Sequence, residues 1–463
     1  MSMQIVAVVG YIVFTSAIGM LAGRRKGQRG VREFFVAQGQ LSWPLITPLL
    51  MAQYVTTTAV VGTTEMAHEL GVVSLFYYLG YPIAAAIYVF GVASFYNSIK
   101  KITIGEAFAV LFDQKTRLAC VLLVLATTAL MIPVAFLGVG AILAPMLGIP
   151  YQSGVWLSAA IMLAIAIFGG LRGIAWMNVV HTVVLVVCLF PATAASVGAA
   201  GGLSRLMASL PAEHLNWVRP GWGTIAAWLI GASFQQVVST AAVTGMFAAK
   251  DEKNAQISIA ASGIFVFLIS LMPCLIGLAA YVIMPDTTSR LALWEMGELC
   301  GATISTVLSI GVLAAVISST PGFILTLGGM ATRDLFLLVK PGASEKAQLF
   351  FSRIAMIALV IGGTFFALTQ LSMLGTILKM AQVRAVLAVI LVIAVFWRRI
   401  HAAAAFWSSV LGACTGFIWF FAGSPFSIEP LWPALTIAML ALIIISLRKK
   451  PSPYKGAEGI ELQ

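Results

Sequence analysis

The sequence of 463 residues has few charged side chains, because Asp, Glu, Lys and Arg make up only 9% of it. Soluble domains carry charge on roughly a quarter of their residues, so a soluble enzyme with a hydrated surface is excluded. Apolar residues make up 60% of the chain, and the mean hydropathy is +1.01. A membrane-spanning helix needs about 20 predominantly apolar residues. The composition therefore predicts a membrane protein with room for roughly 13 spans.

The five cysteines lie far apart in the sequence and form no CxxC pair. Disulfide frameworks and zinc sites need clustered cysteine or histidine residues, so we interpret these cysteines as small apolar residues within helices. The sequence also lacks a Walker-type phosphate loop, an arginine ladder and a TVGYG-type filter. We therefore expect neither an ATP-driven pump nor a voltage-gated or potassium channel.

Long apolar runs separated by polar turns predict an all-α polytopic membrane protein with thirteen transmembrane helices. The first run is not a signal peptide, because its basic cluster at 24–26 follows the apolar stretch instead of preceding it. The connecting segments are too short to fold as soluble domains. The predicted helices cover residues 3–23, 43–64, 72–96, 116–146, 153–170, 176–198, 223–247, 256–284, 299–330, 350–369, 374–397, 403–422 and 429–447.

The basic residues fall on alternate loops. If the N-terminus lies outside, all but five of the 27 lysines and arginines fall in loops that face the cytoplasm. Arg205, Arg219 and Arg290 face outside, and Lys379 and Arg384 lie within the eleventh predicted helix. This distribution predicts that the N-terminus is outside and the C-terminus inside. It also explains the net charge of +11 without a nucleic-acid partner.

The second predicted helix carries polar residues at mid-membrane depth, where such groups are costly. Gln53 is followed by the run Thr56, Thr57 and Thr58, with Gly62 nearby. Consecutive β-branched residues and a glycine weaken a helix. A break here would free backbone carbonyls, which are ligands for a hard cation. The alternative is that the threonines bond their own helix and pack against a neighbour.

The ninth and seventh predicted helices carry further polar groups. Ser318, Ser319 and Thr320 precede Pro321, which removes one helical hydrogen bond. Hydroxyls and freed carbonyls together can form the all-oxygen site that sodium prefers. A kink whose carbonyls the serines satisfy is the alternative. In the seventh helix, Gln235 begins a pair of adjacent glutamines, and at least one must face a cavity or another helix.

Arg384 lies deep in the eleventh predicted helix. It precedes Trp397, near the inner boundary, by 13 residues, which places it about 20 Å into the membrane. An arginine at that depth needs a carboxylate, a cluster of carbonyls or water. One interpretation is that it binds a substrate carboxylate. The other is a structural pairing with an acidic residue or with carbonyls at a helix end.

Several motifs resemble those of the sodium/solute symporter family, in the family's order and over nearly the whole chain. The stretch AAVISST at 314–320, followed by TRDL at 332–335, is similar to the family's signature. Further similar motifs are ITIGE at 102–106, GGLRGIAW at 169–176, AAK at 248–250 with AQ at 255–256, and FWRR at 396–399. Thr58 and Ala59 stand where the sugar branch has Glu and Gln, so the pantothenate and monocarboxylate branches are closer.

The resemblance implies the leucine-transporter fold, in which two inverted repeats of five helices each begin with a broken helix. Here the repeats would cover 43–198 and 223–399, joined by an outer loop at 199–222. An extra helix with a basic cytoplasmic loop at 1–42 and two final helices with a cytoplasmic tail at 400–463 complete the domains. We expect a plasma-membrane protein (the inner membrane in a bacterium) that functions as a monomer in contact with membrane lipid.

The resemblance also implies site residues and one coupling ion. Asn178, Pro321 and Gly322 stand where members with a second sodium site have an aspartate and hydroxyls, so we expect one sodium ion per cycle. The positions matching the sodium ligands are Ala52, Val55, Ala315, Ser318 and Ser319. The predicted substrate-binding residues are Gln53, Thr56, Thr57, Phe234, Gln235 and Arg384.

The predicted function is sodium-coupled symport of a small organic solute by alternating access, without enzymatic activity. Arg384 favours a carboxylate-bearing solute, such as an organic acid, a vitamin acid or an amino acid. A proton-coupled transporter on the same fold is one alternative. A transport-like membrane sensor is another, disfavoured because no kinase domain follows the last predicted helix.

Overall fold

The computed structural model describes residues 3–23, 30–56, 58–99, 101–129, 132–369, 374–397 and 399–448. Within these ranges the regular structure is helical, apart from one isolated parallel bridge between Leu41 and Ala249. The helices are α1 (Met3–Gly23), α2 (Val31–Val36), α3 (Trp43–Tyr54), α4 (Thr63–Leu70), α5 (Leu75–Ile87), α6 (Ala93–Ile99), α7 (Ile104–Leu111), α8 (Gln114–Ala129), α9 (Ile132–Leu147), α10 (Tyr151–Ala199), α11 (Leu203–Ser209), α12 (Ala212–Leu215), α13 (Trp222–Val237), α14 (Thr240–Ala248), α15 (Glu252–Ile283), α16 (Ala292–Leu299), α17 (Ala302–Met330), α18 (Leu337–Val339), α19 (Glu345–Thr369), α20 (Leu374–Phe396), α21 (Ala402–Phe421) and α22 (Leu431–Arg448).

Nine helical stretches of the described chain are long and apolar enough to cross a membrane. Two of them, Tyr151–Ala199 and Ala59–Ile99, have 49 and 41 residues, and each could cross twice because one span needs about 20. The prediction of an all-helical polytopic protein is therefore confirmed. The count of thirteen spans and the positions of the termini stay predictions.

Two predicted helix ends differ in kind from the structure, and a third helix is described on both sides of a gap. The turn expected at 171–175 is helical, and Gly170 alone leaves the helical region, with φ 54° and ψ −173°, at a kink inside α10. The ninth predicted helix does not stop at 330, since a π-helical segment, Ala331–Phe336, continues it into α18. The helix expected at 116–146 is helical on both sides of residues 130–131, as α8 and α9, and these two residues lie outside the described ranges.

Described parts of the loops predicted to face the cytoplasm contact one another, and we call the end of the bundle that they form the basic end. Arg172 pairs with Glu33 at 3.0 Å. Arg333 pairs with Glu106 at 2.8 Å, which joins the segment after α17 to α7. These contacts link residues 139 and 227 positions apart in the sequence. The alternation of loops predicted from the basic residues is thus consistent with the packing.

Three of the loops predicted to face outside contact one another, those near 65–71, 199–222 and 285–298. Arg290 pairs with Glu65 at 3.5 Å, and Arg219 donates to the backbone oxygen of Glu69 at 2.9 Å. The segment 200–221, which contains α11 and α12, therefore covers the end of α4. Gly71 makes this cover possible, because a Cβ there would lie 2.0 Å from the backbone oxygen of His214.

The second predicted helix, at 43–64, is interrupted between α3 and α4, as its threonine run predicts. α3 ends at Tyr54, Val55 leaves the helical region with φ −87° and ψ 78°, and a π-helical segment, Thr58–Gly62, leads into α4. A helix end leaves up to four carbonyls without a helical partner. The break therefore exposes carbonyls of α3 in the interior of the bundle.

The seventh predicted helix is interrupted between α13 and α14. Val238 and Ser239 are not helical, and the Ser239 hydroxyl caps α14 by accepting from the backbone N–H of Ala242 at 3.1 Å. The hydroxyls of Tyr88 and Tyr96 donate to the backbone oxygen of Val237 at 2.8 and 2.9 Å. Buried tyrosines thus satisfy a carbonyl that the break exposes.

Two groups of helices surround the interrupted segments. α17 packs against α10, α3 and α9, while α13 packs against α5 and α20. The first group approaches closely, since a Cβ at Gly311 of α17 would lie 2.9 Å from Cys188 Cβ of α10. Each group contains one part of the candidate site.

Candidate sodium and substrate site

The residues predicted to hold sodium come together where α3 ends against α17. Ser318 Oγ lies 3.4 Å from the backbone oxygen of Ala52 and 2.9 Å from that of Ala315. Ser319 Oγ lies 3.3 Å from the same Ala315 oxygen. Val55, the remaining predicted ligand, lines a cavity together with Ala52 and Ser318. The structure thus brings the five predicted residues together, and their role as sodium ligands stays a prediction.

The cavity beside these residues has a volume of about 10 Å³, which is space for roughly one water-sized particle. Its walls come from α3, α10 and α17. The lining residues are Met51, Ala52, Val55, His181, Thr182, Leu185, Ala314 and Ser318.

The chemistry of this cavity suits a small hard cation. Its predicted ligands are hydroxyl and backbone oxygens, which sodium prefers over softer donors. Among the residues that the structure describes, no group of three or more His, Cys, Asp and Glu side chains could hold a metal ion. A neutral oxygen cluster can hold a monovalent ion, whereas a divalent ion is usually bound with carboxylates.

Arg384 of α20 lies in the second group of helices and is 3% exposed. Nη1 donates to Thr128 Oγ1 of α8 at 3.1 Å, and Nη2 donates to Gln235 Oε1 of α13 at 2.5 Å. Gln235 in turn donates to the hydroxyl of Tyr77 at 3.2 Å. The guanidinium therefore connects three helices through neutral side chains.

The charge of Arg384 is not neutralised within the described part of the chain. None of the five ion pairs found there includes it. Its Nε has no hydrogen-bond partner in the same set of residues. A guanidinium has five N–H donors, and only two of them are used. The remaining donors have no partner among the described residues.

An aromatic wall adjoins this arginine on α5. Tyr77, Tyr78 and Tyr81 are all buried, and the ring centroids of Tyr78 and Tyr81 lie 5.8 Å apart in a stacked arrangement. Tyr54, the last residue of α3, lies with its centroid 5.0 Å from that of Tyr81. The wall thus extends from the α3 break toward Gln235, and it offers flat apolar surface beside polar tips.

Comparison with known proteins identifies the family. The sequence model of the Sodium:solute symporter family matches residues 34–412. The chain belongs to the sodium:solute symporter family. As a member of this family of transporters, it is a membrane transport protein and not an enzyme.

Two symporter relatives match most of the chain at low identity. The sodium/pantothenate symporter of Escherichia coli is 21% identical over 471 residues, covering 95% of this chain and 95% of its own. The high-affinity proline transporter PutP of Bacillus subtilis is 22% identical over 324 residues, covering 66% of this chain and 68% of its own. Among solved structures, an outward-open, substrate-bound Na⁺-coupled sialic acid symporter matches with a TM-score of 0.82 and 18% identity, covering 97% of this chain and 99% of its own. The symporter chain thus has a leucine-transporter-like fold.

The other four predicted substrate residues of the symporter are Gln53, Thr56, Thr57 and Phe234. Gln53 is buried, and within the described residues neither of its amide atoms has a partner; a Cβ at Gly322 would lie 2.8 Å from its Nε2. Thr56 is half-buried within the break, and Thr57 lies outside the described residues. Phe234 packs against the apolar cluster that contains Ala385. Their contact with a substrate stays a prediction.

Three residues of the site are absent from the sequence predictions. Thr128 and Tyr77 reach Arg384 and Gln235 only through tertiary packing, since they are 256 and 158 positions away in the sequence. No local pattern could have identified these two partners. His181 carries a usable signal, because an ionisable residue within a predicted span suggests a functional role.

The family's signature after α17 has a structural role at the basic end. Asp334 is fully buried and pairs with Arg117 at 2.8 Å. Thr103 Oγ1 donates to the same carboxylate at 3.0 Å. These contacts tie α7 and α8 to the segment after α17. The signature therefore fixes the end of the helix that carries the predicted sodium ligands Ala315, Ser318 and Ser319.

Proposed function

We propose that the protein couples the inward movement of one sodium ion to the uptake of a small carboxylate-bearing solute by alternating access. The observation that carries this proposal is the pairing of a neutral oxygen cluster at the α3 break with a buried, unneutralised arginine. The first feature suits a cation, and the second suits an anion. Membership in the sodium:solute symporter family supports the coupling of the two.

The sodium part of the proposal rests on the geometry around Ser318. Its hydroxyl approaches carbonyl oxygens of two different helices, those of Ala52 and Ala315. An ion at this place would bridge α3 and α17 and hold the two helices together. Because α3 ends at the break, such bridging would bias the conformation of the whole segment.

A stoichiometry of one sodium ion agrees with the surroundings of Asn178. This side chain is fully buried on α10, and within the described residues neither of its amide atoms has a partner. An amide carries no charge to compensate a second buried cation. Pro321 likewise offers no hydroxyl at the neighbouring position on α17. We therefore assign a single coupling ion.

The substrate part rests on Arg384. A planar guanidinium binds a carboxylate through two parallel hydrogen bonds, and Arg384 has unused donors for them. Pantothenate, proline and sialic acid, named for the relatives, are all carboxylic acids. The aromatic wall of Tyr77 and Tyr81 would contact the uncharged part of the solute.

The mechanism follows from these positions. Sodium and solute stabilise one conformation together, so each raises the affinity for the other by the same factor.

The basic end faces the cytoplasm of a plasma membrane, with the N-terminus outside and the C-terminus inside. Each inward-moving sodium charge gains about 2.3 kcal/mol per 100 mV of membrane potential. The two interrupted helices, one in each proposed inverted repeat, supply the movable segments. A single chain carries the whole site, so we propose that the monomer is the functional unit.

Equilibrium binding of radioactive sodium to the purified transporter tests the assigned site. We expect one saturable ion per chain, lost in both Ser318→Ala and Ser319→Ala. Ser409→Ala is the matched control, because Ser409 is also buried and donates to a backbone oxygen four residues earlier, that of Ala405, but lies on α21. Unchanged sodium binding in the Ser318 and Ser319 variants would disprove the assignment.

A further inference from the structure

The connection between α2 and α3 contains three successive residues with positive φ. Ala37, Gln38 and Gly39 have φ values of 47°, 56° and 67°. One left-handed residue is an ordinary helix end and is usually glycine, whereas alanine and glutamine carry a Cβ that crowds the following carbonyl oxygen in this region. Backbone strain of this kind persists only where surrounding contacts impose it, and it is concentrated at switch segments.

Contacts on both sides hold the strained residues in place. The N–H of Leu41 donates to the backbone oxygen of Ala248 at 2.8 Å, and the N–H of Lys250 donates to the backbone oxygen of Leu41 at 3.0 Å. This bridge joins the connection to the end of α14. On the other side, Glu33 of α2 pairs with Arg172 of α10 at 3.0 Å. The strained residues therefore lie between two fixed points, one on α14 and one on α10.

Two aromatic rings seat α2 on its neighbours. A Cβ at Gly329 of α17 would lie 3.0 Å from Phe35 Cδ1, and a Cβ at Gly170 of α10 would lie 3.1 Å from Phe34 Cδ2. The two glycines thus leave the room that the rings occupy. Phe35 is 2% exposed, and α2 also contacts α14. This short helix therefore fills the gap between α10, α14 and α17 at the basic end.

A small polar cavity lies beside Phe35, with a volume of about 10 Å³. Four threonines line it together with Phe35, namely Thr103, Thr240, Thr244 and Thr326. A cavity with polar walls can hold water. Thr326 is seven residues beyond Ser319 on α17, which places it about 10 Å from the candidate sodium site toward the basic end. The cavity therefore lies between that site and the basic end, and Phe35 forms part of its wall.

We propose that α2 is an inner latch that closes the path from the sodium site to the basic end, and that strain at Ala37 and Gln38 favours its release. This inference rests on the proposed sodium function. An ion that bridges α3 and α17 would hold α3, and through the connection α2, in the latched position. Release is then a thermal opening that the ion disfavours and the strained connection favours. Each opening joins the threonine-lined cavity to the basic end, where the ion can leave.

Hydrogen exchange of the α2 backbone amides tests the latch, because their protection reports how often this segment opens. It is measured by mass spectrometry on the purified full-length transporter, in sodium and in potassium. Sodium at ten times its half-saturation concentration should slow the exchange of residues 31–36 by about 3- to 10-fold. The radioactive sodium binding assay supplies that concentration for each variant.

Two substitutions should shift this exchange in opposite directions. Gln38→Gly removes strain from the latched form and should slow exchange by about 5-fold or more. Arg172→Gln breaks the pair with Glu33 and should speed it by about 3-fold or more. The matched controls are Ser427→Gly, at another positive φ of 57°, and Arg290→Gln, which breaks the pair with Glu65. Both controls lie away from α2 and should exchange like the parent.

The outcomes separate the latch from the proposed function. If Gln38→Gly and Arg172→Gln leave the exchange unchanged, or shift it in the same direction, the latch is disproved while sodium binding stands. If they act in opposite directions but bound sodium does not slow the exchange, the segment opens independently of the ion, and the inference is overturned. If the parent protein binds no sodium, the proposed function fails first and the latch fails with it.

Discussion

Replacement of Arg384 by glutamine isolates the charge that we assign to substrate recognition. Glutamine keeps a hydrogen-bonding end that can reach toward Thr128 and Gln235, the two observed partners. It removes the positive charge and the unused N–H groups. The substitution should therefore weaken the binding of an anionic ligand far more than it weakens the packing of the surrounding helices.

The size of the effect follows from the contacts. One hydrogen bond to a charged group contributes about 1.5–3 kcal/mol. Loss of that amount raises the half-saturation concentration of a carboxylate by about 10- to 150-fold. Arg384→Lys keeps the charge without the planar fork, so its effect should be intermediate. Thr128→Val removes one neutral partner of Arg384. It should weaken carboxylate binding by about 1 kcal/mol, which raises the half-saturation concentration about 5-fold.

The assay compares a transported carboxylic acid with its uncharged amide in proteoliposomes that contain each variant. We expect Arg384→Gln to weaken the acid but not the amide. The melting temperature of the variant without ligand should stay the same or rise, because the buried charge has no acidic partner to lose. Equal weakening of acid and amide, or a large loss of stability, would refute the assignment and return Arg384 to a structural role.

Three further predictions concern stability, measured as the melting temperature of the purified protein. Burial lowers the pKa of His214 from its ordinary value of 6.5. The contribution of the neutral imidazole to the stability of the folded protein is therefore complete above pH 6.5 and is lost as the pH falls below it. His214→Phe should reduce this pH dependence of the melting temperature, and an unchanged pH profile would contradict the prediction. Asp334→Asn breaks the pair with Arg117 and should cost about 3 kcal/mol, whereas a neutral result would show that the pair is solvated. Gly277→Ala places a Cβ 2.3 Å from the α4 backbone and should cost about 1–3 kcal/mol, while Gly362→Ala, with open space around it, should not.

The residues of the candidate ion site could be singled out from the sequence because their signals are local. A run of β-branched threonines weakens a helix wherever it occurs, and α3 does end just before Thr56. Three hydroxyls before Pro321 likewise mark α17 without knowledge of its neighbours. Family resemblance then supplied the pairing of these two segments, which local pattern alone could not.

The rest of the site depends on tertiary packing. Tyr11 and His181 are 170 positions apart in the sequence, and nothing in either helix alone indicates that they meet. The neutral surroundings of Arg384 could not be predicted from the sequence either, because an acidic partner could have come from any helix. The connection at Gly170 could not be predicted in detail either, because a single glycine with positive φ kinks α10 where the sequence predicts a five-residue turn.

Solute uptake into proteoliposomes tests the central claim most directly. Carboxylic acids that raise the melting temperature more with sodium than with potassium supply the candidate solute. With an inward sodium gradient, we predict accumulation of that solute above its external concentration. We predict no accumulation with potassium in place of sodium, or in Ser318→Ala under either gradient. Accumulation that follows a proton gradient and does not depend on sodium would contradict the account.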